Sequence, residues 1–194
     1  MAARELGNVL LAIARSAIAG QLALPTQPCM THAALTQPGA TFVTLKRAGE
    51  LRGCMGSIRP VRPLGADVRA NAVAAAFGDP RFPPLAAFEF GKVEVEVSLL
   101  TADEPIDVVD EDDLLARLRP GLDGLILQFG QRRATFLPQV WDALPDPREF
   151  LAALKRKAGL PEEFWSPQVN VSRYGVTKWV ESEYYLTGLP EVQP

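Results

Sequence analysis

Leu51-Arg52-Gly53-Cys54-Met55-Gly56-Ser57 places a guanidinium and a thiol among glycines inside an apolar, strand-like stretch. Glycine weakens a strand interior, because it loses more conformational freedom on folding and brings no side chain to pack. Its presence at 53 and 56 points to positions where another backbone or a ligand comes close. Upstream, Thr41 to Arg47 is a second strand-like run, and Gly49-Glu50 supplies a turn between the two. Residues 41–47 and 51–58 therefore read as a hairpin with Cys54 on its second strand. Helical patterns flank this hairpin. Leu6, Val9, Leu10, Ile13 and Ala17 recur at helical spacing over residues 3–19, and residues 64–77 form an Ala-rich helix with Val68, Ala72, Ala75 and Ala76 on one side. Gly78-Asp79-Pro80 ends that helix.

Further along, Lys92 to Leu99 alternates strictly, so Val93, Val95, Val97 and Leu99 face a core while Glu94 and Glu96 face water or another lobe, solvation being the expectation for both. Asp110 caps a short helix over 112–118 that Pro120-Gly121 stops. Residues 125–129 and 133–137 read as a second hairpin around Gly130-Gln131. A helix over 148–158 turns Phe150, Leu151 and Leu154 inward, and Lys155-Arg156-Lys157 complements the negative end of its dipole. Residues 169–174 and 177–186 read as closing strands, and residues 25–39, rich in Pro, Thr and Gln, as a loop. Helices and hairpins in mixed order, without βαβ alternation, set the class as α+β.

The composition narrows the function classes. A chain of 194 residues, 47% hydrophobic and 22% charged, is an ordinary globular length and can bury roughly 70% of its unfolded surface. Its net charge of −3 argues against nucleic-acid binding, which needs a basic contact surface. The longest apolar run, residues 9–19, is interrupted by Arg15 and falls short of the roughly 20 residues that span a bilayer, so no membrane span is expected. Two cysteines make no disulfide framework, and reduced thiols in a cytoplasmic setting are the expectation.

Several blocks in one order resemble the AMMECR domain family: residues 41–45, 51–57, 79–85 (Asp-Pro-Arg-Phe-Pro-Pro-Leu), 93–101, 121–127 and 134–140. The resemblance covers nearly the whole chain. It implies a single α+β domain over residues 1–194 with a larger and a smaller lobe, mostly antiparallel sheet with flanking helices, and a cleft between the lobes whose wall includes the Leu-Arg-Gly-Cys block. It implies no established catalytic mechanism. Prokaryotic relatives resemble components of a three-part set with a Memo-like protein and a radical S-adenosylmethionine protein, which makes those two the expected partners. Some relatives have His where this chain has Asp123, so a shared Cys and His pair would be half missing here.

Cys54 is the candidate catalytic residue, and it admits two readings. A thiol becomes a nucleophile when a cation holds its thiolate, and on a regular strand Arg52 would share its face about 7 Å away. A buried free cysteine also serves simply as a small hydrophobe. Arg52, Gly53, Gly56, Ser57, Asp79, Arg81 and Asp123 are the candidate ligand-binding residues. Arg81 lies in a proline-stiffened segment, where its fork suits either a small anionic ligand or an internal ion pair with Asp79 or Asp67. Cys29-x-x-His32 supplies only two of the four ligands zinc wants, and Cys54 and Asp123 would have to complete them; no metal or cofactor is expected. Gly121-Leu122-Asp123-Gly124 lacks the Lys and the following helix of a phosphate loop and reads as a turn. Trp165, Trp179, Tyr174, Tyr184 and Tyr185 read as packing aromatics. The sequence thus supports a binding or accessory component, with a thiol-dependent enzyme acting through Cys54 on a small anionic substrate as the alternative.

Overall fold

The structure, a computed structural model, describes residues 2–26 and 30–184. The chain divides into two compact units, residues 1–99 with 177–194, and residues 100–176. Both are α+β with antiparallel sheets, and each has its own core.

Unit 1 begins with α1 (Ala2–Gln21), followed by a 3-10 turn at Ala33–Thr36, β1 (Pro38–Gly39), β2 (Thr41–Arg47), β3 (Glu50–Gly56), β4 (Arg62–Pro63) and α2 (Leu64–Phe77). A second 3-10 turn, Ala87–Lys92, leads into β5 (Val93–Leu100). The stretch expected to be plain loop before Thr41 thus contains a turn and a short strand, β1, which pairs with β4. α1 is buried over more than one stripe, since Leu11, Ala12 and Ala14 are as enclosed as Leu10 and Ile18.

The β2–β3 hairpin turns at Ala48 and Gly49, both at positive φ, and Glu50 already belongs to β3. Two successive positive φ values are the type I′ geometry that matches strand twist. Val43 pairs with Val97 and Leu45 with Val95, so these side chains share the face that enters the core with Val68, Ala72 and Ala75 of α2.

Glu96 departs from the solvated role expected of it. It is buried, with its carboxylate 2.5 Å from Lys46 and 3.9 Å from Lys178. Burial of a carboxylate requires such partners, and the neighbouring strands supply them.

Unit 2 comprises β6 (Glu104–Pro105), α3 (Glu111–Arg117), β7 (Gly124–Phe129), β8 (Arg132–Phe136), a 3-10 turn at Pro138–Asp142, α4 (Pro147–Lys157) and β9 (Asn170–Tyr174). Its sheet runs β6-β9-β7-β8. Asp110 and Asp146 cap α3 and α4 through their side chains. The core stacks Trp141 on Phe150, ring centroids 3.8 Å apart, beside Leu125, Leu127, Leu151 and Leu154. Lys155, at the C-terminal end of α4, is 1% exposed, and its ammonium donates to Glu111 at 2.7 Å and to the Glu162 carbonyl at 2.8 Å.

The chain then returns through β10 (Val176–Val180), which completes the first sheet in the order β10-β5-β2-β3. Trp179 joins the unit 1 core, and a Cβ on Gly7 of α1 would lie 2.4 Å from its ring. Glu181 pairs with Arg15 of α1, whose guanidinium also donates to the carbonyls of Phe90 and Val93. The expected closing strand over 177–186 thus ends at Val180, and its last residues, with Tyr185, lie outside the described residues.

Candidate functional site

The two glycines of the block are explained by close approach within unit 1. A Cβ on Gly53 would stand 2.1 Å from the carbonyl oxygen of Ala75, so α2 packs its backbone directly on β3. A Cβ on Gly56 would meet the Phe42 ring at 2.3 Å and the Thr41 carbonyl at 2.7 Å. Of the two causes open to a strand glycine, backbone proximity accounts for position 53.

With Gly53 turned to α2, strand alternation places Cys54 on the opposite face of the sheet. Cys54 is half-buried and lies opposite Thr44 in register, with Thr44 Oγ1 3.3 Å from its sulfur. β3 is an edge strand, and its free edge is closed by the segment that follows α2. The Cys54 N–H donates to Asp79 Oδ2 at 2.9 Å, and Arg81 reaches the Cys54 carbonyl at 3.5 Å. Arg81 forks onto Asp79 through Nε (2.9 Å) and Nη2 (2.7 Å), which is the internal ion pair anticipated for it. That fork is the chief reason the buried Asp79 carboxyl lies well below the usual carboxylate range; burial opposes it and the N–H groups of Cys54 and Arg81 reinforce it. Asp79 raises the pKa of Arg81 in return, and a thiolate at Cys54 acts in the same direction.

Arg52 does not take the regular-strand position beside the thiol. Leu45 pairs with Gly53 and Lys46 with Leu51, which leaves Arg52 as the extra residue of a β-bulge. The bulge sends its guanidinium to Glu89, in a buried fork of 3.1 and 3.0 Å. Glu89 also accepts from Arg47 at 3.2 Å and from the Ala86 N–H at 3.1 Å. Arg52, first, and the Ala86 N–H, second, bring the Glu89 pKa down to about 2. Arg52 Nη1 is buried without a hydrogen-bond acceptor among the described residues, and Cζ lies 5.9 Å from the Phe82 ring centroid. Arg81 approaches the same ring at 5.5 Å.

The model of the AMMECR1 family matches residues 11–179. The chain belongs to the AMMECR1 family. It is 40% identical over 183 residues to a protein of Methanothermobacter thermautotrophicus, covering 88% of this chain and 92% of that one. It is also 40% identical over 140 residues to protein MJ0810 of Methanocaldococcus jannaschii, covering 69% and 68%. Among solved structures, the uncharacterized protein PH0010 from Pyrococcus horikoshii superposes with a TM-score of 0.78 at 34% identity, over 90% of each chain.

In this AMMECR1-family chain the remaining candidates have structural partners. Ser57 Oγ donates to Asp67 at 2.8 Å, within a cluster in which Asp67 also accepts from the Thr41 N–H, Thr41 Oγ1, Arg62 and Asn71 at 2.7 to 2.9 Å. Asp123 belongs to unit 2, where Arg119 donates to it from its backbone at 3.0 Å and from its guanidinium at 2.6 and 3.0 Å. The Asp123 carbonyl accepts from Trp141 Nε1 at 2.8 Å. His32 caps the first 3-10 turn through Nδ1, and Cys29 lies outside the described residues. Among the described residues no three His, Cys, Asp or Glu side chains are grouped to hold a metal ion, and no helix is long and apolar enough to cross a membrane. Sequence reasoning missed Thr44, Asp67 as a hub, Asn71, Arg62 and Glu89. Only Arg62 and Asn71 carry a local signal, at five and four residues from Asp67.

Proposed function

We propose that this AMMECR1-family chain is a binding or accessory component, with the Cys54 edge of unit 1 as its recognition surface and Cys54 as a packing thiol within that surface. The observation that carries this reading is that the two arginines expected beside the thiol are each forked onto a carboxylate, Arg52 onto Glu89, which it shares with Arg47, and Arg81 onto Asp79. A cation beside a thiol favours its thiolate, and a carboxylate paired with that cation offsets the effect. Arg81, with a side chain 54% exposed, and the exposed Leu51 and Phe88 supply the mixed polar and apolar character that suits a protein partner. The family resemblance names the partners to try: a Memo-like protein and a radical S-adenosylmethionine protein. Nucleic acid and membrane are not proposed as partners.

Titration calorimetry with each purified partner tests the reading. Binding is expected to survive Cys54→Ser and to weaken at least fivefold in Arg81→Glu. A Cys54→Ser protein that melts normally but loses all function in vivo overturns it.

A second reading, a thiol-dependent enzyme acting on a small anionic substrate, draws support from the unfilled donor at Arg52 Nη1 and the Thr44 hydroxyl beside the sulfur. Its test is alkylation of Cys54 against pH in a Cys29→Ser background. Labelling in the native protein with a midpoint below that of the unfolded chain favours the enzyme; labelling only on unfolding removes it.

A further inference from the structure

The face of α2 turned away from the sheet has an unusual composition. Leu64, Val68, Ala72, Ala75 and Ala76 fill the unit 1 core, as an amphipathic helix requires. The other side is nevertheless not polar: Gly65, Ala66, Ala70 and Val73 join Ile13 of α1 and Leu35 of the first 3-10 turn around a groove of about 590 Å³. Met30 and Arg69 complete the lining, and Arg69 is the one charged residue of the eight. Arg69 is exposed and has no ion-pair or hydrogen-bond partner among the described residues. A helix apolar on both sides normally has both sides covered. Here Ile13, Leu35 and Val73 pack on the unit 1 core, and the small side chains of Gly65, Ala66 and Ala70 leave a groove above them beside the exposed Arg69.

We propose that this groove binds a small single-chain amphiphile with an anionic head, such as a medium-chain carboxylate, its tail along Ala66, Ala70 and Val73 and its head on Arg69. The volume lies within the range of roughly 300–1,000 Å³ found for small-molecule sites. The unpaired positive charge selects an anion over a neutral or cationic amphiphile. This site is distinct from the Cys54 edge, because Gly53 and Cys54 share none of its lining.

The test is titration calorimetry of the full chain with saturated carboxylates from hexanoate to dodecanoate, each below its micelle concentration. Affinity is expected to rise about fourfold per methylene until the groove is filled. The methyl ester of the best ligand should bind about two- to fivefold more weakly than the carboxylate, and Arg69→Gln should erase that difference. Ala70→Leu fills the groove and should weaken every member at least tenfold, with a thermal melt confirming that the variant is folded. A flat chain-length series overturns the proposal, as does carboxylate binding untouched by a folded Ala70→Leu or indifferent to Arg69→Gln. An absence of binding, with a dimer that Ala70→Leu breaks, assigns the groove to a second copy and overturns it as well.

Discussion

In unit 1, Asp67 accepts the N–H of Thr41 across 26 residues, Asp79 that of Cys54 across 25, and Glu89 holds Arg52 across 37. In unit 2, Asp123 accepts the N–H of Arg119 four residues away, Asp110 that of Asp113 three away, and Asp146 that of Arg148 two away. Lys155, tied to Glu111 across 44 residues, and the exposed Arg148, tied to Asp112 across 36, are exceptions. The same side-chain chemistry therefore does two jobs. In unit 1 a carboxylate joins segments that meet only in the folded state, so its bonds form with the tertiary structure. In unit 2 it sets the ends of helices and turns that nearby residues already favour.

The largest test of that difference is Asp67→Ala against Asp110→Ala. The first leaves five donors around a fully buried position without their acceptor, and a loss of about 3–5 kcal/mol is expected in urea unfolding. The second removes one exposed helix cap and should lose about 1 kcal/mol. Equal losses would end the distinction between long-range and local acids. Next in size is Gly53→Ala, whose Cβ meets helix backbone at 2.1 Å; α2 must shift, with an expected loss of about 3 kcal/mol. If Gly53→Ala proves neutral, the glycine is kept open for something other than α2.

The same difference decides what could be read from the chain. Strand alternation showed Val93, Val95 and Val97 as core, and the caps Asp110 and Asp146 stand at the starts of their helices, though only the first was anticipated. These signals lie within a few residues of what they control. The Cys54 neighbourhood was legible as a place, since the glycines announced a close approach, but not as an arrangement. One extra residue in β3 moved Arg52 from the thiol to Glu89, and pairing registers carry no local mark of such a bulge. Glu96 failed in the same way, because alternation gives the face of a strand and not what the neighbouring strands place upon it.

Acid stability sharpens the comparison further. Glu89 is held at about 2, below its ordinary 4.5, so its ion pairs stabilise the folded state fully above pH 4.5 and lose that contribution as pH falls toward 2. Unfolding free energy should drop by about 1–3 kcal/mol between pH 5 and 2, and Glu89→Gln should flatten part of that slope, with Asp79 supplying the rest. Asp113 in unit 2 is also lowered, chiefly by Arg117, but that pair is solvated. Asp113→Asn should leave the slope unchanged. A slope that follows Asp113 and ignores Glu89 would reverse the ranking of the two units.

The smallest effects separate local conformation from space. Gly20 near the end of α1 and Gly130 in the β7–β8 turn both have no heavy atom within 4 Å of where a Cβ would stand. Packing alone predicts that alanine fits both equally. Gly20 has no positive φ, so Gly20→Ala mainly lowers the entropy of the unfolded chain and should stabilise unit 1 by about 0.5–1 kcal/mol. Gly130 sits at φ 56° in the first position of a two-residue hairpin turn, a conformation that an L side chain opposes by about 1 kcal/mol. Gly130→Ala should therefore destabilise unit 2 by that amount. Melting temperatures of the two variants then move in opposite directions, and a shift of the same sign in both would mean that backbone strain at the turn is relieved by a change of turn type.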